Sequence, residues 1–425
     1  MADVIKLMRP GTLSLAALPP LSLYVHLPWC LRKCPYCDFN SHELPAPTMP
    51  SASAPRGGVA GLGRPGTGGR DVRELPVDTA REYLAALRAD LEAALPLIWG
   101  RPVVSIFIGG GTPSLFAPEQ IAELISDLRA RLPLEPGCEI TLEANPGTFE
   151  RERFKGFRAA GVTRLSIGVQ SFDDVKLKAL GRVHNSEQAR AAIAEAADAF
   201  ETFNIDLMYA LPGQTLAELD VELQTALAFE PPHLSVYHLT IEPNTRFAVD
   251  TPEHLPDPDL ASDMLDLITA RTGAAGLERY EVSAYARAGH RCTHNTNYWQ
   301  FGDYLGVGAG AHTKLSFPHR VLRQVRWREP AAYMAKAGEG AAVSNEHEVQ
   351  RNELPFEFML NALRLKDGVP LQQFLERTGL PPSAIAKAME QGRARGLLEA
   401  DPARIAATPR GFDFLSDLQQ LFLSA

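Results

Sequence analysis

Leu21, Leu23, Val25 and Leu27 fall on one face of an extended chain, and Ser22, Tyr24 and His26 fall on the other. That period-two alternation predicts a strand over Leu21–Leu27. Five later runs, Val103–Ile108, Glu139–Ala144, Arg164–Val169, Phe203–Tyr209 and Leu234–Leu239, also read as strands. They are short, rich in β-branched and aromatic residues, and end near Gly, Pro or Asn. Between them the period lengthens. Leu84, Leu87, Leu91 and Leu95 form a helical stripe, with Thr79 and Glu82 at the spacing of a capping box. Pro118–Leu132, Glu150–Ala160, Ser186–Phe200 and Leu216–Phe229 read as helices as well. Strand–helix alternation over about 220 residues predicts parallel strands joined by crossover helices. Six strands point to an α/β fold, an incomplete (β/α)6 barrel. An open doubly wound sheet is the competitor that periodicity alone does not remove.

The pattern divides the chain into residues 1–20 as an N-terminal tail, 21–344 as the barrel domain and 345–425 as a smaller, mostly helical domain. Phe356, Met359, Leu360 and Leu363 open the last of these, and Gly396–Thr408 has room for a hairpin. Helices plus a hairpin resemble a winged-helix module. Within the barrel domain, residues 44–70 hold five Pro and seven Gly among 27 positions, which leaves nothing to pack. A surface excursion is expected there. It reads either as a lid or as a dispensable insertion.

At 425 residues the chain has room for two to three domains of about 150 residues each. Its net charge of −9 makes general nucleic-acid binding a poor expectation. The C-terminal segment 345–425 has 9 Lys+Arg against 11 Asp+Glu, so it is not read as a DNA reader. No run approaches the roughly 20 apolar residues of a membrane span. The apolar stretch Leu13–Leu18 is shorter than a secretory core, so a cytoplasmic protein without a membrane anchor is expected.

The five cysteines are Cys30, Cys34, Cys37, Cys138 and Cys292. An odd set with three thiols crowded together is unlike a disulfide framework. Cys30, Cys34 and Cys37 make C-x3-C-x2-C directly after the first strand, on the face where barrel active sites collect. A closed zinc site wants four ligands, and no second cysteine pair supplies them. Three thiolates suit a [4Fe–4S] cluster with one iron left open for a small chelating molecule. A three-thiol zinc site and chance spacing are the alternatives.

Other chemistry-bearing residues sit at the ends of successive strands. Gly109-Gly110-Gly111-Thr112 offers close backbone approach and exposed N–H groups. Glu143 supplies a carboxylate for an ammonium or a ribose hydroxyl, and Gln170 an amide. Arg182 lies in Gly181-Arg182-Val183-His184, and Asp206 lies on the fifth strand. Each alone is as readily structural. Together they agree on one end of one barrel.

C-x3-C-x2-C with Tyr36, after the first strand of a βα-repeat chain, resembles the radical S-adenosylmethionine (SAM) superfamily. Tyr24-Val25-His26-Leu27-Pro28-Trp29-Cys30, Ile108-Gly109-Gly110-Gly111-Thr112-Pro113-Ser114, Gly168-Val169-Gln170-Ser171-Phe172 and Asp206-Leu207-Met208-Tyr209 narrow the likeness. From about Leu21 to the C-terminal domain they resemble the oxygen-independent coproporphyrinogen III oxidase-like family. The resemblance implies a [4Fe–4S] cluster on Cys30, Cys34 and Cys37. It also implies SAM contacts at Tyr24, Gly110, Gly111, Thr112, Glu143, Gln170, Arg182 and Asp206. An electron donor would be needed if SAM is cleaved to a 5′-deoxyadenosyl radical.

The oxidases carry a further cysteine two residues after the third cluster ligand, where this chain has Phe39. Asp38-Phe39-Asn40-Ser41 instead resembles the heme chaperone branch of the family. His294-Asn295-Thr296-Asn297-Tyr298-Trp299 resembles that branch's heme-linked segment, expected around residues 292–299. The resemblance implies His294 as an axial ligand, with Tyr298 and Trp299 against the macrocycle. Cys292, His26, His184 and His238 are competing ligands, and a hydrogen-bonded loop histidine is the bland reading of His294. Heme and client hemoproteins, membrane respiratory enzymes among them, are the implied partners. Oxidative decarboxylation of coproporphyrinogen III is the enzymatic alternative, and a regulatory scaffold is a third.

Overall fold

The computed structural model describes residues 13–44, 75–147 and 150–423. The expected excursion 44–70 lies outside them apart from Leu44, which is buried. All six expected strands are present. They are β1 (Leu21–Leu27), β2 (Val103–Gly110), β3 (Leu134–Ala144), β4 (Arg164–Gln170), β5 (Thr202–Tyr209) and β6 (His233–His238). They pair in parallel and in chain order, with no reversal. A doubly wound sheet would reverse its strand order at a switch point. This one runs on in a single direction, as a barrel does, and does not close, because β1 and β6 are not neighbours.

The alternation in β1 has a different cause from the usual one. Ser22 and His26 are as buried as the leucines. The apolar face packs under the helical layer, and the polar face lines the barrel interior. Ser105, Thr141, Ser166, Asn204 and Ser235 repeat this on the following strands, all buried. The barrel therefore has a hydrogen-bonding interior.

The sheet extends past both ends of the parallel set to twelve strands. β7 (Asp303–Val307) runs parallel to the free side of β1, and β8 (His312–Phe317), β9 (Arg320–Arg326) and β10 (Val343–Glu348) follow it antiparallel. This extension has no counterpart among the strands expected from the sequence pattern. The helical domain is expected from residue 345, whereas β10 continues to Glu348 and the next helix begins at Leu354. The expected capping box at Thr79 is not formed. The helix spans Val77–Ile98 after Pro76, which puts Thr79 inside its first turn.

Beyond Glu348 the chain builds a separate core around Phe358, Met359 and Phe374. Val369–Pro370 pairs antiparallel with Arg404–Ile405, and Leu398 bridges Ala407. These are the small-sheet elements of a winged-helix arrangement. The segment expected as a free tail is partly packed: Leu13 joins this core, and the Leu15 amide donates to the Pro318 carbonyl at 3.0 Å.

Candidate functional site

A cavity of about 600 Å³ runs through the barrel, within the size range of cofactor sites. Cys30, Cys34 and Cys37 line it, as do Gly110, Gly111 and Thr112 from the end of β2. Glu143, Gln170, Arg182 and Asp206 line it too. Ten of the eleven residues expected at the cluster and SAM positions are thereby gathered in one space. Tyr24 is not among the lining residues; its hydroxyl is 2.9 Å from His26 Nδ1.

Each thiol has a polar neighbour. Thr112 Oγ1 donates to Cys30 Sγ at 3.6 Å, Arg182 Nη1 donates to Cys34 Sγ at 3.6 Å, and Ser41 Oγ lies 3.8 Å from Cys37 Sγ. Arg182 Nη2 also donates to Asn145 Oδ1 at 2.5 Å and to the Gly168 carbonyl at 2.6 Å. Asn145 Nδ2 in turn donates to Thr112 Oγ1 at 2.8 Å. Arg182, Asn145 and Thr112 thus form a hydrogen-bonded chain from Cys34 to Cys30. Donors to the sulfurs tune an iron–sulfur centre. Among the described residues, no three His, Cys, Asp or Glu side chains converge where a single metal ion would sit. A mononuclear zinc site needs that convergence. In a cluster each thiolate takes its own iron, so three separated thiols on one cavity wall fit that group.

The glycines are required by space. A Cβ on Gly110, whose φ is +120°, would meet the His26 ring at 2.5 Å, and one on Gly111 would meet the Trp29 carbonyl oxygen at 2.5 Å. Gln170 also takes a left-handed conformation, φ 69°, at a register shift between β4 and β5. A non-glycine residue there is strained, and here the strain falls at a residue lining the cavity.

Two buried carboxyls face this space. The Gly110 amide donates to Glu143 Oε2 at 3.0 Å, yet burial pushes the Glu143 carboxyl up to about 7. Asp206 accepts from Asn204 Nδ2 at 2.7 Å and from Ser166 Oγ at 3.0 Å, and burial raises it as well. Both suit a cationic ligand group, which would favour the ionised form.

The helix Thr293–Trp299 lies across the N-terminal end of the strands. The Glu139 carboxylate accepts from the amides of Thr293 and His294 at its first turn, at 3.0 and 3.3 Å. Cys292 and Asn295 line the cavity; His294, Tyr298 and Trp299 do not. His294 is buried with Nδ1 3.2 Å from Ser105 Oγ, and burial lowers its pKa to about 3. Tyr298 stacks on Tyr304 at 4.0 Å, and Trp299 lies under the Arg364 guanidinium at 4.2 Å. Of the competing histidines, His26 Nε2 and His184 Nε2 are within hydrogen-bond distance of backbone carbonyls, and His238 lines the cavity. Phe39 also lines it, 59% exposed.

Asn145, Asn204 and His233 also line the cavity and are not among the residues expected from the sequence. His233 lines the cavity between Asn204 Oδ1 at 2.6 Å and the Tyr280 hydroxyl at 2.9 Å. The usable signal was a polar residue at every second position inside an otherwise apolar strand.

A Radical SAM superfamily model matches residues 24–226, and a HemN C-terminal domain model matches residues 349–414. The heme chaperone HemW of Haemophilus influenzae is 43% identical over 409 residues, spanning 96% of this chain and 99% of that protein. The heme chaperone HemW of Escherichia coli strain K12 gives the same identity and the same coverage. The solved structure of coproporphyrinogen III oxidase (HemN) from Escherichia coli, a radical SAM enzyme, superposes with a TM-score of 0.75 at 23% identity. That match covers 95% of this chain and 90% of the oxidase, and it shows a shared fold. This chain belongs to the radical SAM superfamily and, within it, to the HemW family.

Proposed function

We propose that this protein is a heme chaperone that carries a [4Fe–4S] cluster and SAM, binds heme and delivers it to client hemoproteins. The observation that carries the reading is near-full-length likeness to heme chaperones, joined to Phe39 at the position where the oxidases have a further cysteine. Cys30, Cys34 and Cys37 hold the cluster. Bound there, it would supply an open iron for the amino and carboxylate groups of SAM and, given an external donor, an electron for its sulfonium. Thr112, Asn145 and Arg182 donate toward the thiolates and their surroundings. Gly110 and Gly111 leave room for the ligand backbone, and Glu143 and Asp206 face its positive charge.

His294 is proposed as the axial heme ligand. It reaches a macrocycle only when the helix Thr293–Trp299 leaves its seat against Ser105, so heme uptake displaces that helix. Burial already keeps the imidazole neutral, the form that binds iron. Cytoplasmic clients, and membrane respiratory enzymes reached from the cytoplasm, are the expected recipients. Among the described residues no helix is long and apolar enough to cross a membrane.

The test is a heme titration of the cluster-reconstituted full chain, followed by transfer to a heme-free reporter hemoprotein. Saturable binding with a Soret shift, then loss of heme to the reporter, is the expected result. Anaerobic incubation with SAM, reductant and coproporphyrinogen III is expected to leave the porphyrinogen unchanged. Formation of protoporphyrinogen IX would overturn the chaperone reading in favour of the oxidase.

A further inference from the structure

The cavity has a second polar end. Thr141 on β3 and Arg164 on β4 are directly opposite in the sheet register, and both line the cavity. They are 1% and 2% exposed. Neither the Thr141 hydroxyl nor Arg164 Nη2 has a hydrogen-bond partner. A third lining residue, Arg364, leaves its buried Nε unpartnered as well. Buried polar atoms in folded proteins are nearly always satisfied, so such a group of orphans calls for an absent acceptor.

The rest of these side chains is already committed. Arg164 Nη1 donates to the His290 carbonyl at 3.0 Å and lies 3.6 Å from Glu139 Oε2. Glu139 Oε1 is turned toward the Thr293 and His294 amides. Arg364 Nη2 donates to Glu281 Oε2 at 3.4 Å, while Glu281 Oε1 accepts from the Ser283 amide at 2.9 Å. What remains unpartnered in the residues of this cavity wall is a set of buried donors. A guanidinium edge beside a hydroxyl on the adjacent strand matches the two oxygens of a carboxylate.

SAM does not account for these donors. Arg164 opens β4 and Gln170 closes it. Six residues of extended chain put the two about 20 Å apart. A SAM molecule chelated at the cysteine loop therefore has its own carboxylate at the far end of the barrel. We infer that Thr141 and Arg164 form a carboxylate subsite that takes a propionate of heme. The inference rests on the heme reading above for its ligand and adds where the ligand's charge is held.

The test titrates the cluster-reconstituted full chain with heme and with heme dimethyl ester, whose propionates are masked. Wild-type protein is expected to bind the diacid at least tenfold more tightly than the diester. Thr141→Val removes a hydroxyl that has no partner, so its thermal melt should match wild type while the preference shrinks to a few-fold. Arg164→Gln should abolish the preference. Equal wild-type affinities for diacid and diester, or a full preference retained in Thr141→Val, would overturn the subsite and leave the chaperone reading standing. No Soret change with either ligand would overturn both. If Arg164→Gln fails to fold, Thr141→Val alone decides.

Discussion

The backbone N–H of Gly110 donates to the Glu143 carboxylate at 3.0 Å, joining the end of β2 to the end of β3. That single bond does not offset burial, so the carboxyl titrates near 7 where the ordinary value is 4.5. A raised acid stabilises the fold in its protonated form. Its contribution is complete below the ordinary value and is lost as pH rises through about 7. The positive sulfonium of SAM would reverse the preference and draw the proton off.

Binding of SAM is therefore expected to release a proton at pH 6–7, and its affinity is expected to fall as pH drops from 8 to 6. Calorimetry in buffers of different protonation enthalpy reads both. Glu143→Gln should reduce the proton release by the share that Glu143 supplies and weaken SAM at least tenfold, about 1.4 kcal/mol. Proton uptake by wild type would place the positive charge of SAM elsewhere.

Replacing Cys30, Cys34 and Cys37 together by Ser should abolish bound iron and the broad visible absorbance of a cluster. Thr112→Val is a finer probe, because it removes the donor 3.6 Å from Cys30 Sγ. Iron content should stay at the wild-type level while the cluster potential moves negative in an EPR-monitored redox titration, since a lost hydrogen bond leaves more charge on sulfur. An unchanged potential would mean that this hydroxyl does not reach the cluster.

His294 gives a prediction about acid stability that needs no heme. Its pKa is lowered from 6.5 to about 3 by burial. A base depressed in this way contributes stability that is present above 6.5 and lost as pH falls toward 3. Chemical denaturation across that range should show a shallower pH dependence in His294→Gln than in wild type. Identical slopes would mean the imidazole is already solvated in the native ensemble.

Asp303 ties the sheet extension to the barrel. It is wholly buried and pairs with Lys314 at 3.0 Å and Arg101 at 2.9 Å. Asp303→Ala strands a buried ammonium and should cost about 3–5 kcal/mol, read from urea unfolding. A loss below about 1 kcal/mol would show that Lys314 finds another partner or deprotonates.

Much of this architecture was legible because local pattern and tertiary role coincide. The six barrel strands alternate or run apolar within a few residues of their observed bounds, and the C-x3-C-x2-C spacing lies on one loop. The extension β7–β10 escaped because its strands are stabilised by pairing onto β1 and by buried ions such as Lys314, whose charge reads as surface in a linear pattern. Arg164 escaped for the same reason: a charged residue opening a strand looks like an exposed edge until the barrel encloses it. The heme-linked segment was readable as a motif, but its seat beneath the barrel depends on long-range contacts with Ser22, Ser105 and Glu139.

Arg364 follows the first helix of the C-terminal domain, yet its side chain lines the barrel cavity and covers Trp299. A molecule gripped by that guanidinium joins two separately cored parts of the chain. Filling the cavity and docking the helical domain then become linked equilibria, each favouring the other by the same free energy. Emptying the cavity would weaken the link through Arg364. Release of cargo and exposure of the C-terminal module's inner face to a recipient would then be one event.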